Sequence, residues 1–170
     1  MPRNPFQSII GLLAWIALCF IAAAVGGQGS VGAPHFYAQL NHPAWAPPVW
    51  LFGPVWTVLY LLMGIAAWRV WRNGGFGPAR QGGARGALIL FIVQLAVNAF
   101  WSWLYFAWRM GAASFGWIIL LLILIIVTIF AFRRHSPAAA WMMVPYLLWV
   151  SFATALTYVT WQMNPVLLGG

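Results

Sequence analysis

Five long apolar runs mark the chain, at about residues 6–25, 50–71, 87–106, 115–132 and 139–161, and glycine, proline and arginine gather between them. Each run is close to the roughly 20 residues that a helix needs to cross a hydrocarbon core. A strand reading fails, because Leu120 to Val127 is unbroken aliphatic sequence without the alternation of an outer-membrane barrel. Helix is also the one open-ended structure that pairs every backbone N–H and C=O within its own segment. The pattern predicts an all-α fold: a five-transmembrane-helix bundle forming a single domain over residues 1–170.

The linkers differ in kind. Residues 73–86 are rich in glycine and arginine and predict a flexible loop. Residues 26–49 mix turn formers with Phe36, Tyr37, Leu40 and Trp45, and predict a loop that folds back to cap the bundle. The small-residue pairs Gly82/Gly86 and Gly83/Ala87 open the third span and are candidates for a close helix or dimer contact. Arg3 ahead of a run ending in Ala22, Ala23 and Ala24 has some signal-peptide character, but the run is long enough to span, which favours a retained helix.

Composition sharpens this picture. Of 170 residues, 64% are hydrophobic and 5% charged, against roughly a quarter charged in soluble domains. The +8 net charge comes from arginine alone, since no Asp, Glu or Lys occurs. Paired carboxylates, a Ser-His-Asp triad, a calcium cage and a carboxylate proton relay are therefore excluded. Arg3, the group Arg69, Arg72, Arg80 and Arg85, and the pair Arg133 and Arg134 fall on one side of five spans, with Arg109 alone on the other. The positive-inside rule then predicts a cytoplasmic N-terminus and an outward C-terminus and first loop. The arginines flank apolar runs, so orientation in a membrane explains them and nucleic acid does not. A bacterial inner membrane is the expected location, with an outer membrane as the alternative. Trp45, Trp50, Trp68, Trp71, Trp108, Trp141 and Trp161 stand where aromatic belts form. Cys19 is the sole cysteine, which excludes an intrachain disulfide and a cysteine metal cluster.

Three stretches carry candidate chemistry. The run from Tyr37 to Tyr60 holds Leu40, His42, Pro43, Trp45, Pro47, Pro48, Trp50, Phe52, Pro54 and Trp56. Pro47 and Pro48 keep the chain extended up to a helix, and Pro54 is placed in its first turns, where a missing N–H costs little. The expected product is a rigid aromatic rim at the mouth of the bundle. In the third span Gln94 and Asn98 share a helix face, continued by Trp101, Ser102 and Tyr105. An amide in hydrocarbon needs a partner, so this face points inward, either tying helices together or lining a cavity. In the fifth span Tyr146, Trp149, Ala153 and Leu156 recur at helical spacing, as packing or as a pocket wall. His35, His42 and His135 are the only conventional bases; two lie in the first loop, and no metal site is assigned.

These motifs together resemble the translocator protein family, also called TspO, the tryptophan-rich sensory proteins or the peripheral benzodiazepine receptors. The resemblance rests on the Tyr37 to Tyr60 run, on Gln94-Leu-Ala-Val-Asn98-Ala-Phe-Trp101-Ser and on Pro145-Tyr146-Leu-Leu-Trp149-Val-Ser-Phe152-Ala153-Thr-Ala-Leu156. It implies a cavity for porphyrins (protoporphyrin IX, haem-like tetrapyrroles) and benzodiazepine-site ligands beneath the first loop. Trp56, Gln94, Asn98, Trp149 and Ala153 match its lining, and Trp45, Trp50, Tyr60, Trp101, Tyr146 and Leu156 complete the candidate set. The implied partners are a hydrophobic small molecule, the lipid bilayer and a second copy of the chain, with porphyrin or haem a ligand rather than a required cofactor. Three departures stand out: His42 where lysine is usual, Thr157 where asparagine is usual, and no basic residue after Tyr158. The last breaks the proposed cholesterol motif.

The expected function is a binding protein in tetrapyrrole handling, transport or stress signalling; the alternative is a facilitated transporter of porphyrins or sterol-like lipids. A scaffold whose polar residues only join helices is the third reading. No conventional enzyme is expected. Some relatives are reported to degrade bound protoporphyrin in light, and for that chemistry Trp56 and Trp149 are the redox candidates.

Overall fold

The computed structural model describes residues 4–78 and 82–169. Arg3 and Arg80 lie outside the described residues. The elements, in chain order, are α1 (Pro5–Gly29), α2 (Ala33–Gln39), α3 (Val49–Gly74), α4 (Arg85–Ser102) continued by a π-helical turn (Trp103–Ala107), α5 (Gly111–Arg133), α6 (Pro137–Met142) and α7 (Val144–Met163). Among the described residues five helical segments are long and apolar enough to cross a membrane: Pro5–Gly29, Val49–Gly74, Arg85–Ala107, Gly111–Arg133 and Pro137–Met163. They form a closed ring in which α1 packs on α3 and α4, α4 on α5, α5 on α6 and α7, and α6 on α3. Helices, with no strand among the described residues, make this an integral multi-pass membrane bundle.

Local chemistry sets the ends. The Asn4 side chain accepts from Phe6 N at 3.2 Å and Pro5 follows at the first helical position, so α1 begins with its orphan donors partly satisfied. No proline interrupts α1 at the expected exit near residue 25, and the helix continues to Gly29. The first loop is not featureless either, since Pro34 starts the short helix α2 within it. Pro48 holds an extended conformation (φ −65°, ψ 147°) immediately before α3. Pro54 is the sixth residue of α3, in its second turn, where the Trp50 carbonyl loses its i+4 donor. Gly75 closes α3 with φ 60°, a conformation that favours glycine, and donates to Trp71 O at 2.8 Å.

Two departures from regular helix bear on the site. The turn Trp103–Ala107 widens the end of the third span, with Trp108 N donating to Trp103 O at 2.9 Å, and Arg109 then turns the chain with φ 56°. The fifth span, continuous in the sequence pattern, is broken at Met143, because Pro145 cannot donate to the carbonyl of Trp141.

Close packing of backbones and rings marks the arginine-rich end. A side chain at Gly64 would come 2.8 Å from the Ile16 Cα, and one at Gly11 would strike the Trp71 ring. Met63, Ala66, Ala67, Val70, Leu88, Phe91 and Phe132 are fully buried around them. A side chain added at Gly82 or Gly86 would meet nothing within 4 Å among the described residues, so that pair seats no described helix of its own bundle.

Candidate functional site

Toward the α2 end the same helices enclose a cavity of about 490 Å³. Its walls come from Phe20 and Ala23 of α1, Phe52, Trp56 and Tyr60 of α3, Asn98 and Trp101 of α4, Ile118 and Leu121 of α5, and Trp149, Ala153 and Leu156 of α7. Tyr105 and Phe106 reach it from the π turn, and Ala33, Pro34 and Tyr37 of α2 roof it. Trp56, Tyr60, Asn98, Trp101, Trp149, Ala153 and Leu156 are thus brought together around one cavity.

The floor is a hydrogen-bond chain across three helices. Tyr60 Oη donates to Asn98 Oδ1 at 2.6 Å, Asn98 Nδ2 donates to Tyr146 Oη at 2.8 Å, and Tyr146 Oη donates to Gln94 Oε1 at 3.1 Å. Gln94 and Tyr146 are 0% exposed and lie beneath the cavity rather than on its wall. Both readings of the amides therefore hold in part. Gln94 ties helices, while Asn98 does so and also faces the cavity. Among the described residues, the Gln94 Nε2 group and the Trp149 Nε1 group are buried without a hydrogen-bond partner.

The rim is an arc of rings. Tyr37 contacts Phe52 at 5.7 Å between centroids, Phe52 contacts Trp149 at 5.9 Å, Trp149 contacts Phe152 at 5.6 Å, and Phe152 contacts Trp45 at 5.7 Å. Trp45 therefore joins the rim from outside, half-exposed, and does not line the cavity. Trp50 is 71% exposed on the outer face of α3 and contributes nothing to the wall. The helical turn that places Trp56 inward places Trp50 outward, where an interfacial belt position suits it. Trp101 has its indole N–H committed to Ser114 O at 3.1 Å and its ring stacked on Tyr105 at 5.1 Å, so it serves the cavity as a flat apolar face.

The first loop is held down. Phe36 and Leu40 are buried with Tyr105 and Leu168, and the Arg109 guanidinium sits over the Phe36 ring at 4.7 Å. Tyr37 Oη donates to Pro47 O at 3.3 Å, and burial pushes this phenol above its ordinary value, which keeps it a neutral donor. His42 is half-buried and bonded to Tyr37 O, a structural place rather than a solvated one. His35 meets the Gln39 side chain at 3.0 Å, and His135 offers its backbone carbonyl to Asn73 at the far end. Among the described residues no group of three metal-ligating side chains forms.

Sequence reasoning left out Tyr37 and Phe52 as wall residues, although both stand in the aromatic run. It also left out Asn164, whose partner is 123 positions away and gives no local signal.

The model of the TspO/MBR family matches residues 15–162. The chain is 39% identical to the tryptophan-rich protein TspO of Chlorobaculum tepidum, over 94% of this chain and 99% of that one. It is 37% identical to the human translocator protein, over 89% and 86%, and 32% identical to the tryptophan-rich sensory protein of Cereibacter sphaeroides, over 88% and 92%.

Proposed function

The chain belongs to the TspO/MBR family, and from that premise we propose that it is a membrane-embedded binding protein for porphyrins and similar flat, hydrophobic ligands. The observation that carries the reading is the indole-walled cavity beneath the first loop. Trp56, Trp101 and Trp149 offer ring faces on which a tetrapyrrole or fused-ring ligand stacks. Porphyrin propionates meet no repulsion, since the chain has no acidic side chain.

Tetrapyrrole handling or stress signalling is the role that fits such a binder, in keeping with relatives named as sensory and translocator proteins. The arginine bias supports a bacterial inner membrane with the N-terminus cytoplasmic. Titrating protoporphyrin IX against the tryptophan fluorescence of the reconstituted protein tests the reading. Saturable quenching, reduced in Trp149→Phe, is expected; quenching no greater than that of an unrelated membrane protein would defeat it.

A second reading, facilitated passage, draws on one feature. Gly27, Gly53 and Thr57 border the cavity and are exposed between α1 and α3, so the wall is thin toward lipid on that side. Flux of labelled porphyrin into vesicles separates passage from binding alone.

A further inference from the structure

We infer that Asn164 is the latch of the first loop: a positioning residue that contacts no ligand but sets how fast the cavity opens. The inference rests on the ligand-binding reading above for its functional meaning, and on separate contacts for its geometry.

Asn164 follows the last residue of α7 and is 4% exposed. Its side chain pairs with one backbone residue in both directions: Asn41 N donates to Asn164 Oδ1 at 2.8 Å, and Asn164 Nδ2 donates to Asn41 O at 2.9 Å. The second amide hydrogen goes to Thr160 O at 2.8 Å, which fixes the side chain to the helix end. An amide thus imitates a strand partner for the loop. No other residue type of that length supplies both an acceptor and two donors.

The effect reaches the cavity through the next residue. His42 Nε2 donates to Tyr37 O at 2.6 Å, and the His42 ring lies 3.9 Å from that of Tyr37. Tyr37 is a roof residue of the cavity. Asn164 therefore holds Asn41, Asn41 places His42, and His42 places the aromatic roof. Each link is short and buried or half-buried, whereas α2 itself has no side-chain cap at its N-terminus. Releasing the latch frees the roof without removing any wall contact, so exchange rates change more than affinity.

The test uses the full chain in lipid nanodiscs. Stopped-flow quenching by protoporphyrin IX gives association and dissociation rates for the parent, Asn164→Ala and His42→Phe. The second variant keeps a stacked ring but loses the bond to Tyr37 O, and it stands in if Asn164→Ala does not fold. In Asn164→Ala both rates should rise roughly tenfold through loss of the two hydrogen bonds to Asn41, with Kd moving less than about threefold. His42→Phe should raise both rates by a smaller factor. Amide hydrogen exchange of residues 36–42, measured without ligand, should quicken in both variants. Unchanged rates with unchanged exchange, even alongside a lower melting temperature, would overturn the latch. Faster exchange in a protein that never binds porphyrin would leave the latch standing and defeat the ligand reading instead.

Discussion

The two ends of the bundle are built from the same helices and differ in what fills the space between them. At the arginine-rich end small residues let backbones approach: Gly64 admits Ile16, Gly11 receives the Trp71 ring, and Ala66, Ala67 and Val70 are fully buried. At the α2 end the facing positions are large rings that touch edge to edge and hold the helices apart, as Phe52 and Trp149 do. In lipid the hydrophobic effect does not pull helices together, so close packing and hydrogen bonds must supply cohesion. The tight end carries that burden, and the open end is free to enclose a space. The base is filled by small residues and closely seated rings, whereas around the chamber the inward rings of α3, α4 and α7 leave a space between them.

Substitutions can break this contrast in graded steps. The largest expected effect is at Phe91→Ala in the tight end, where Phe91 is fully buried and stacks on Phe132 at 5.6 Å. The transfer term is weak because the alternative environment is also apolar, but the cavity term remains, so a loss of about 3 kcal/mol is expected in denaturant unfolding in mixed micelles. Gly64→Val should follow at about 2 kcal/mol, since its new methyls meet the Ile16 backbone, which cannot swing aside. Either substitution should weaken ligand binding only as far as it unfolds the protein.

The chamber should respond in the opposite sense. Trp149→Phe removes a buried donor with no partner among the described residues and narrows a ring face of the cavity wall, so thermal stability should hold or rise slightly while porphyrin affinity falls about threefold, the scale of a reduced stacking contact. A stability loss above about 2 kcal/mol there would show that Trp149 is structural. The smallest effect belongs to Trp50→Ala. Its ring is largely exposed and outside the wall, so both stability and affinity should stay within about 0.5 kcal/mol of the parent. A large affinity loss at Trp50 would place the ligand further out than the cavity described here.

Much of this arrangement is legible along the chain. Every predicted span lies within an observed helical segment, because a run of apolar residues of that length has no other way to satisfy its backbone in lipid. The rim is legible as well, since the proline and aromatic run from Tyr37 to Tyr60 is local. Wall membership was harder to read. Trp50 and Trp56 belong to one run and one helix, yet only one faces inward, and helical phase relative to neighbours decides which. Gln94 and Asn98 share a face, yet their heights relative to the ring of helices put one beneath the cavity and one beside it.

Sequence by itself determined the helical spans, the acid-free interior and the aromatic rim, since each follows from the composition of a contiguous segment and the demands of an apolar solvent. Tertiary structure alone decided which residues share a floor and the pairing of Asn164 with Asn41. Those depend on contacts between residues far apart in the chain, and the energy of such a contact is settled only when the helices have taken their places around the ring.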